Sequence, residues 1–158
     1  MTTTMETNRS TAKANPNVAS VLNRQIANWT VLYVKLHQFH WFVKGTQFFT
    51  LHAKFEELYN EAATHIDELA ERVLSVGGRP IATMRECMAE ASVKEAAGTE
   101  KASEMVRAVE QDFRTIVREL REGMEAAQGA GDETTSDMLL AICTSLEKHI
   151  WMLASYND

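Results

Sequence analysis

Apolar residues recur at steps of three and four along most of the chain, and no stretch sustains strand-like alternation. A first stripe runs through Val18, Val21/Leu22, Ile26, Trp29, Leu32/Tyr33, Leu36, Phe39/His40 and Val43, and predicts a helix over 17–44. Phe55, Leu58, Ala62, Leu69, Val73 and Val76 give a second helix over 48–76, stopped by Gly77-Gly78 and Pro80. Met105/Val106, Val109, Phe113, Ile116/Val117, Leu120 and Met124 mark a third over 99–128. The segment GAGDETTSD breaks it, with Asp132 or Thr134 as N-cap of a last helix carrying Met138/Leu139, Ile142, Leu146, Ile150 and Leu153. Between the second and third stripes, residues 79–98 form a connector in which TMRECMAEA has the length of a short helix. Four long amphipathic helices predict an all-α four-helix bundle, and the long middle connection gives it one crossover.

Composition narrows this little but excludes much. With 158 residues, one domain is expected, over 16–158, preceded by a polar, flexible tail over 1–15 that has no apolar stripe. The tail shows no secretory h-region, and no apolar run reaches membrane-spanning length, so a cytoplasmic protein is expected. Cys87 and Cys143 make neither a disulfide framework nor a CxxC pair, as suits a reducing compartment. A formal charge of −6 argues against bulk affinity for nucleic acid.

The second helix carries a charged stripe beside its apolar one. On an ideal helix, taking His52 as origin, Glu56 lies about 40° round, Asp67 about 60° and Glu71 about 100°. Lys or Arg at i,i+4 does not accompany these acceptors, so surface ion pairing does not explain them. His52 and Asp67 are fifteen positions apart, about 22 Å of helix axis, too far for one ion. The stripe therefore reads as two half-sites, His52/Glu56 and Asp67/Glu71, placed about a midpoint near Glu61–Ala62. Two copies of the helix packed antiparallel across a two-fold axis bring each half-site onto its complement, with Ala62 and Ala63 near the crossing. His40 precedes Gly45 by five residues and His52 follows it by seven, so a helical hairpin sets them at similar heights. Such a nitrogen and carboxylate set suits iron, manganese or zinc. The usual di-iron bundle needs Glu-x-x-His, and no histidine here has Glu three residues before it.

HQFHWFVKG (37–45), FFTLHAKFEELY (48–59), IDELAERVLSVGG (66–78) and KHIWML (148–153) together resemble the Dps family, the ferritin-like mini-ferritins. The likeness runs from about residue 17 to the end, with Glu56 standing where many members carry Asp. It implies a ferritin-like bundle with a short extra helix at a two-fold interface, assembled as a hollow dodecamer built from two-fold dimers. It implies an iron-storage ferroxidase that oxidises Fe(II) with hydrogen peroxide, and with O2 more slowly, storing Fe(III) mineral and protecting the cell from oxidative damage. Catalysis and metal binding fall on His40, His52, Glu56, Asp67 and Glu71, with two irons per inter-subunit site and zinc or manganese as competitors. Glu133 and Asp137 match acidic residues lining a three-fold pore that draws iron inward.

The resemblance also carries an alternative: mainly a DNA-binding, compacting stress protein with secondary iron binding, associated with the nucleoid. The tail holds only Arg9 and Lys13 against Glu6, and twelve copies at −6 each carry about −72, so DNA binding is expected to be weak or absent. His37 reads as an accessory to His40, His65 as outside the ligand set, and His149 as packed beside Trp151. Trp41 reads as an anchor which, in the family, also lies near the metals and absorbs stray oxidising equivalents. Glu57 and Glu61 face either a mineral cavity or plain solvent.

Overall fold

The computed structural model describes residues 15–157. Five helices follow one another: α1 (Pro16–Phe42), α2 (Phe48–Ser75), the short α3 (Met84–Glu90), α4 (Ala102–Gly129) and α5 (Glu133–Asn157). α1 pairs with α2 and α4 with α5 as two hairpins, α1 packs on α4, and α3 lies against α1. The four long helices make the ferritin-like bundle with its single long crossover. Tail residues 1–14 lie outside the described residues; Asn15 accepts from the Asn17 N–H and caps α1, with Pro16 at the first helical position.

The apolar stripes meet inside. Trp29, Phe39, Phe55 and Phe113 are the largest fully buried side chains, packed among Leu22, Leu32, Leu36, Leu58, Leu69, Ile116, Leu120 and Leu139. Helix ends fall within three residues of the sequence expectation, and local chemistry places them. Gly77 adopts φ +82°, its N–H bonds to the Leu74 carbonyl, and the Gly78 N–H bonds back to Val73 at 2.8 Å. That closes α2 in a Schellman motif. α4 ends the same way, with Gly131 at φ +71° and the Asp132 N–H on the Ala127 carbonyl. Asp132 then caps α5, accepting from the Thr135 N–H at 3.0 Å, while Arg72 of α2 bonds it at 2.8 Å. The expected short helix is α3, opened by a Thr83–Glu86 capping box.

A buried polar knot ties the crossover down. Glu119 of α4 accepts from Gln25 at 2.9 Å and from Asn28 at 2.7 Å, and also from the Ser92 hydroxyl. Asn28 in turn accepts from the backbone N–H groups of Ser92 and Val93. Lys35 is buried against Asp112 at 2.7 Å; burial raises the pKa of Asp112 in spite of that partner.

Candidate metal half-site

His40 ends α1 and His52 sits in the second turn of α2, on either side of the turn at Gly45. Their rings stack at 3.7 Å between centroids, 14° from parallel. Nδ1 of His40 lies 2.7 Å from the His52 carbonyl oxygen, and Nδ1 of His52 lies 2.7 Å from the His40 carbonyl oxygen. A carbonyl only accepts, so each Nδ1 carries a proton, and in the neutral tautomer this selects, the lone pair lies on Nε2. The His40 carbonyl belongs to the last turn of α1, where backbone acceptors lack helical partners, so His52 also caps that helix. This is how a metal-ligating imidazole is held: one nitrogen tied to the backbone, the other open.

Aromatic rings continue the stack. Phe48 lies on His52 at 4.9 Å and 22°. Tyr59 stands across His40 at 5.3 Å and 88°, and stacks on His37 at 3.7 Å and 15°. His37 bonds through Nδ1 to the Tyr33 carbonyl oxygen, at 2.8 Å. Partial burial, then the Glu56 carboxylate and Tyr33, raise the pKa of the Tyr59 phenol, which stays protonated. Neither Phe48 nor Tyr59 stands among the ligands expected from the sequence. The signal was present in Tyr59, seven residues after His52 and three after Glu56, hence on the same face.

The three carboxylates expected as ligands, Glu56, Asp67 and Glu71, are exposed on α2. None makes a side-chain hydrogen bond or ion pair among the described residues. Within one chain, among the described residues, no three His, Cys, Asp or Glu side chains converge as a metal site. Beside the histidines lies an apolar surface on α1 and α3: Val34, Trp41, Phe42, Met84 and Met88 are all exposed, Trp41 by 66%.

Several sequence expectations need correction. Ala62 lies in the chain's own core, as its place in the apolar stripe of α2 implies, and not at an outer crossing; Ala63 is exposed. Glu61 is not a freely solvated surface carboxylate but half-buried. It turns into the bundle, where it accepts from His149 at 2.6 Å, Ser145 at 2.6 Å and His65 at 3.1 Å. Burial alone would raise its pKa, but the bonds from His149, His65 and Ser145 hold the carboxyl well below the usual carboxylate range. His149 is therefore packed on Glu61, with Lys54 3.4 Å from its Nδ1, while Trp151 is 68% exposed. His65 is buried against Trp29, ring centroids 4.6 Å apart. Glu57 is exposed and pairs with Lys54 at 3.1 Å.

At the start of α5, Asp132 is occupied by Arg72 and Thr135. Glu133 and Asp137, one turn apart, are exposed. No helix among the described residues is long and apolar enough to cross a membrane.

The fold agrees with known proteins. Residues 19–158 match the ferritin-like domain. General stress protein 20U of Bacillus subtilis is 63% identical over 135 residues, 85% of this chain and 93% of that protein. DNA protection during starvation protein 2 of Bacillus anthracis is 58% identical over 142 residues, 90% of this chain and 97% of that protein. The crystal structure of a Dps protein from Bacillus brevis superposes with a TM-score of 0.89 at 60% identity, covering 89% of this chain and 95% of that one. With its bundle, its crossover helix and this degree of identity, the chain belongs to the Dps family of ferritin-like proteins.

Proposed function

We propose that this chain is an iron-storage ferroxidase that works between subunits. The observation that carries the reading is the His40/His52 pair, with both Nδ1 atoms tied to carbonyls and both Nε2 atoms open, on a helix whose carboxylates Glu56, Asp67 and Glu71 find no counter-ligand among the described residues. His40, His52 and Glu56 of one chain then face Asp67 and Glu71 of a second, twice per two-fold dimer. The apolar surface around Trp41, Phe42, Met84 and Met88 supplies a face for that second copy. Six such dimers form the hollow dodecamer.

The two imidazole planes, stacked at 3.7 Å, do not converge on one ion about 2.1 Å from each nitrogen. Each histidine therefore takes its own Fe(II), giving two irons side by side, with zinc or manganese as competitors. Two Fe(II) give one electron each to one hydrogen peroxide, whose O–O bond breaks. With two waters the products are two FeOOH and four protons, and no odd electron is left to make a hydroxyl radical. Oxygen serves more slowly. The neutral nitrogens hold Fe(II) without adding charge, and the carboxylates favour the ferric product before it leaves for the mineral. Glu133 and Asp137, exposed and unpaired among the described residues, draw Fe(II) toward the cavity.

The decisive test is anaerobic loading with Fe(II), then stoichiometric peroxide, following ferric absorbance and a hydroxyl-radical spin trap. Rapid oxidation at two Fe(II) per peroxide with low radical yield supports the reading. Oxidation no faster than in a His52→Ala/Asp67→Ala double variant sinks it. Relatives named for DNA protection keep a second reading in view, a DNA-compacting stress protein. A formal charge of −6 per chain opposes it, and a tight gel shift at physiological salt would decide in its favour.

A further inference from the structure

The imidazole pair sits inside a column of aromatic rings. From one end the order is Phe48, His52, His40, then Tyr59 set crosswise, then His37. His37 is itself pinned, by its bond to the Tyr33 carbonyl and by contact with Tyr33 and Trp41 at 4.5 and 5.4 Å. An imidazole held only through Nδ1 still turns about that hydrogen bond. Contacts on its ring fix the plane, and the plane decides where the Nε2 lone pair points. Phe48 makes that contact on His52, and Tyr59 makes it on His40. Both come from α2, the helix that also carries Glu56. Ring planes and carboxylate are therefore set by one rigid element.

We propose that Phe48 and Tyr59, the latter backed by His37, are positioning residues that lock the planes of the two ligand imidazoles and so set how tightly, and in what geometry, metal binds there. This rests on the reading of His40 and His52 as ligands.

The probe is Co(II), titrated anaerobically into the assembled full-length protein while visible d–d absorption and stoichiometry are followed. Tyr59→Leu and Phe48→Leu are expected to weaken Co(II) binding by about 10–100-fold and to change the absorption envelope, the usual range for loss of a group that orients a ligand. Tyr59→Phe keeps the ring and is expected to restore affinity and spectrum. A purely structural role would lower the melting temperature but leave the Co(II) spectrum of the folded protein unchanged, and that result overturns the proposal. If Tyr59→Leu does not assemble, His37→Leu leaves the Tyr59 ring but removes its backing. It is then expected to shift the spectrum in the same direction by less, and an unchanged spectrum again overturns the proposal. A wild-type titration indifferent to His52→Ala removes the ligand reading and this proposal with it. A wild-type titration that depends on His52, with clamp variants behaving as wild type, removes the positioning role alone.

Discussion

Two clusters on α2 use the same residue types and end up opposite in character. In the bundle, Glu61 takes bonds from His65, His149 and Ser145, which engage both carboxylate oxygens. At the α1–α2 hairpin, His40, itself buried, and the half-buried His52 tie off one nitrogen each and leave the other open, while the exposed Glu56, Asp67 and Glu71 stay unpaired among the described residues. The inner cluster has its carboxylate tied to three donors of its own chain, so it contributes stability and rigidity. The outer one is open, so it has valence left for metal and for a second chain. Histidine and glutamate do not by themselves mark a site; the difference lies in what remains unsatisfied.

The largest effect expected from breaking this contrast is on activity. His52→Ala combined with Asp67→Ala should bring peroxide-driven Fe(II) oxidation down to the rate of iron in buffer, with a stability loss of about 1 kcal/mol for the α1 cap that His52 provides, as stopped-flow absorbance and calorimetry will show. Glu61→Ala should do the reverse. Two imidazoles and a hydroxyl lose their shared acceptor, and denaturant unfolding should report about 2–4 kcal/mol less stability. Oxidation per folded protein should stay near wild type.

The pH dependence sharpens the same point. The folded pKa of Glu61 lies below its ordinary value of 4.5, so its contribution to stability is present above that pH and is lost as pH falls below it. Glu61→Gln should therefore flatten the acid limb of a stability-against-pH curve, and parallel limbs for the two proteins would contradict the inward role. Charge removal at the pore should be milder: Glu133→Gln with Asp137→Asn should slow iron uptake several-fold at low salt. The difference should shrink as ionic strength rises. The smallest effect belongs to a cap. Asp132→Ala loses the Thr135 N–H bond and the Arg72 pair, for about 1 kcal/mol, with no effect on oxidation.

The bundle was legible because helical period alone sorts its residues: positions such as Leu22, Phe55, Phe113 and Leu146 fall on one stripe per helix and are buried. The proposed ligand stripe rests on the same argument, since His52, Glu56, Asp67 and Glu71 share a face by angle. What period does not give is the neighbour. Glu61 lies about 180° from His52, on the far border of the core stripe, which says only that it leaves the ligand face. That Ser145 and His149 meet it there depends on the register of α5 against α2, set by packing 84 and 88 positions away. Ala62 reads both as core and as crossing face because one small residue serves either equally well until the helix is rotated into its bundle, where the core reading holds. Tyr59 went unnoticed because an aromatic near a core edge reads as packing, and only ring geometry shows it standing against His40.

The claim that each metal site is shared between two chains has a direct test in complementation. Chains carrying His52→Ala and chains carrying Asp67→Ala are inactive apart. In a mixed two-fold dimer one site receives both defects and the other receives neither. With random pairing, co-expressed chains should regain about a quarter of the wild-type rate of peroxide-driven Fe(II) oxidation. Mixed assemblies no faster than either parent would mean that His52 and Asp67 do not meet across the two-fold, and the shared site would have to be abandoned.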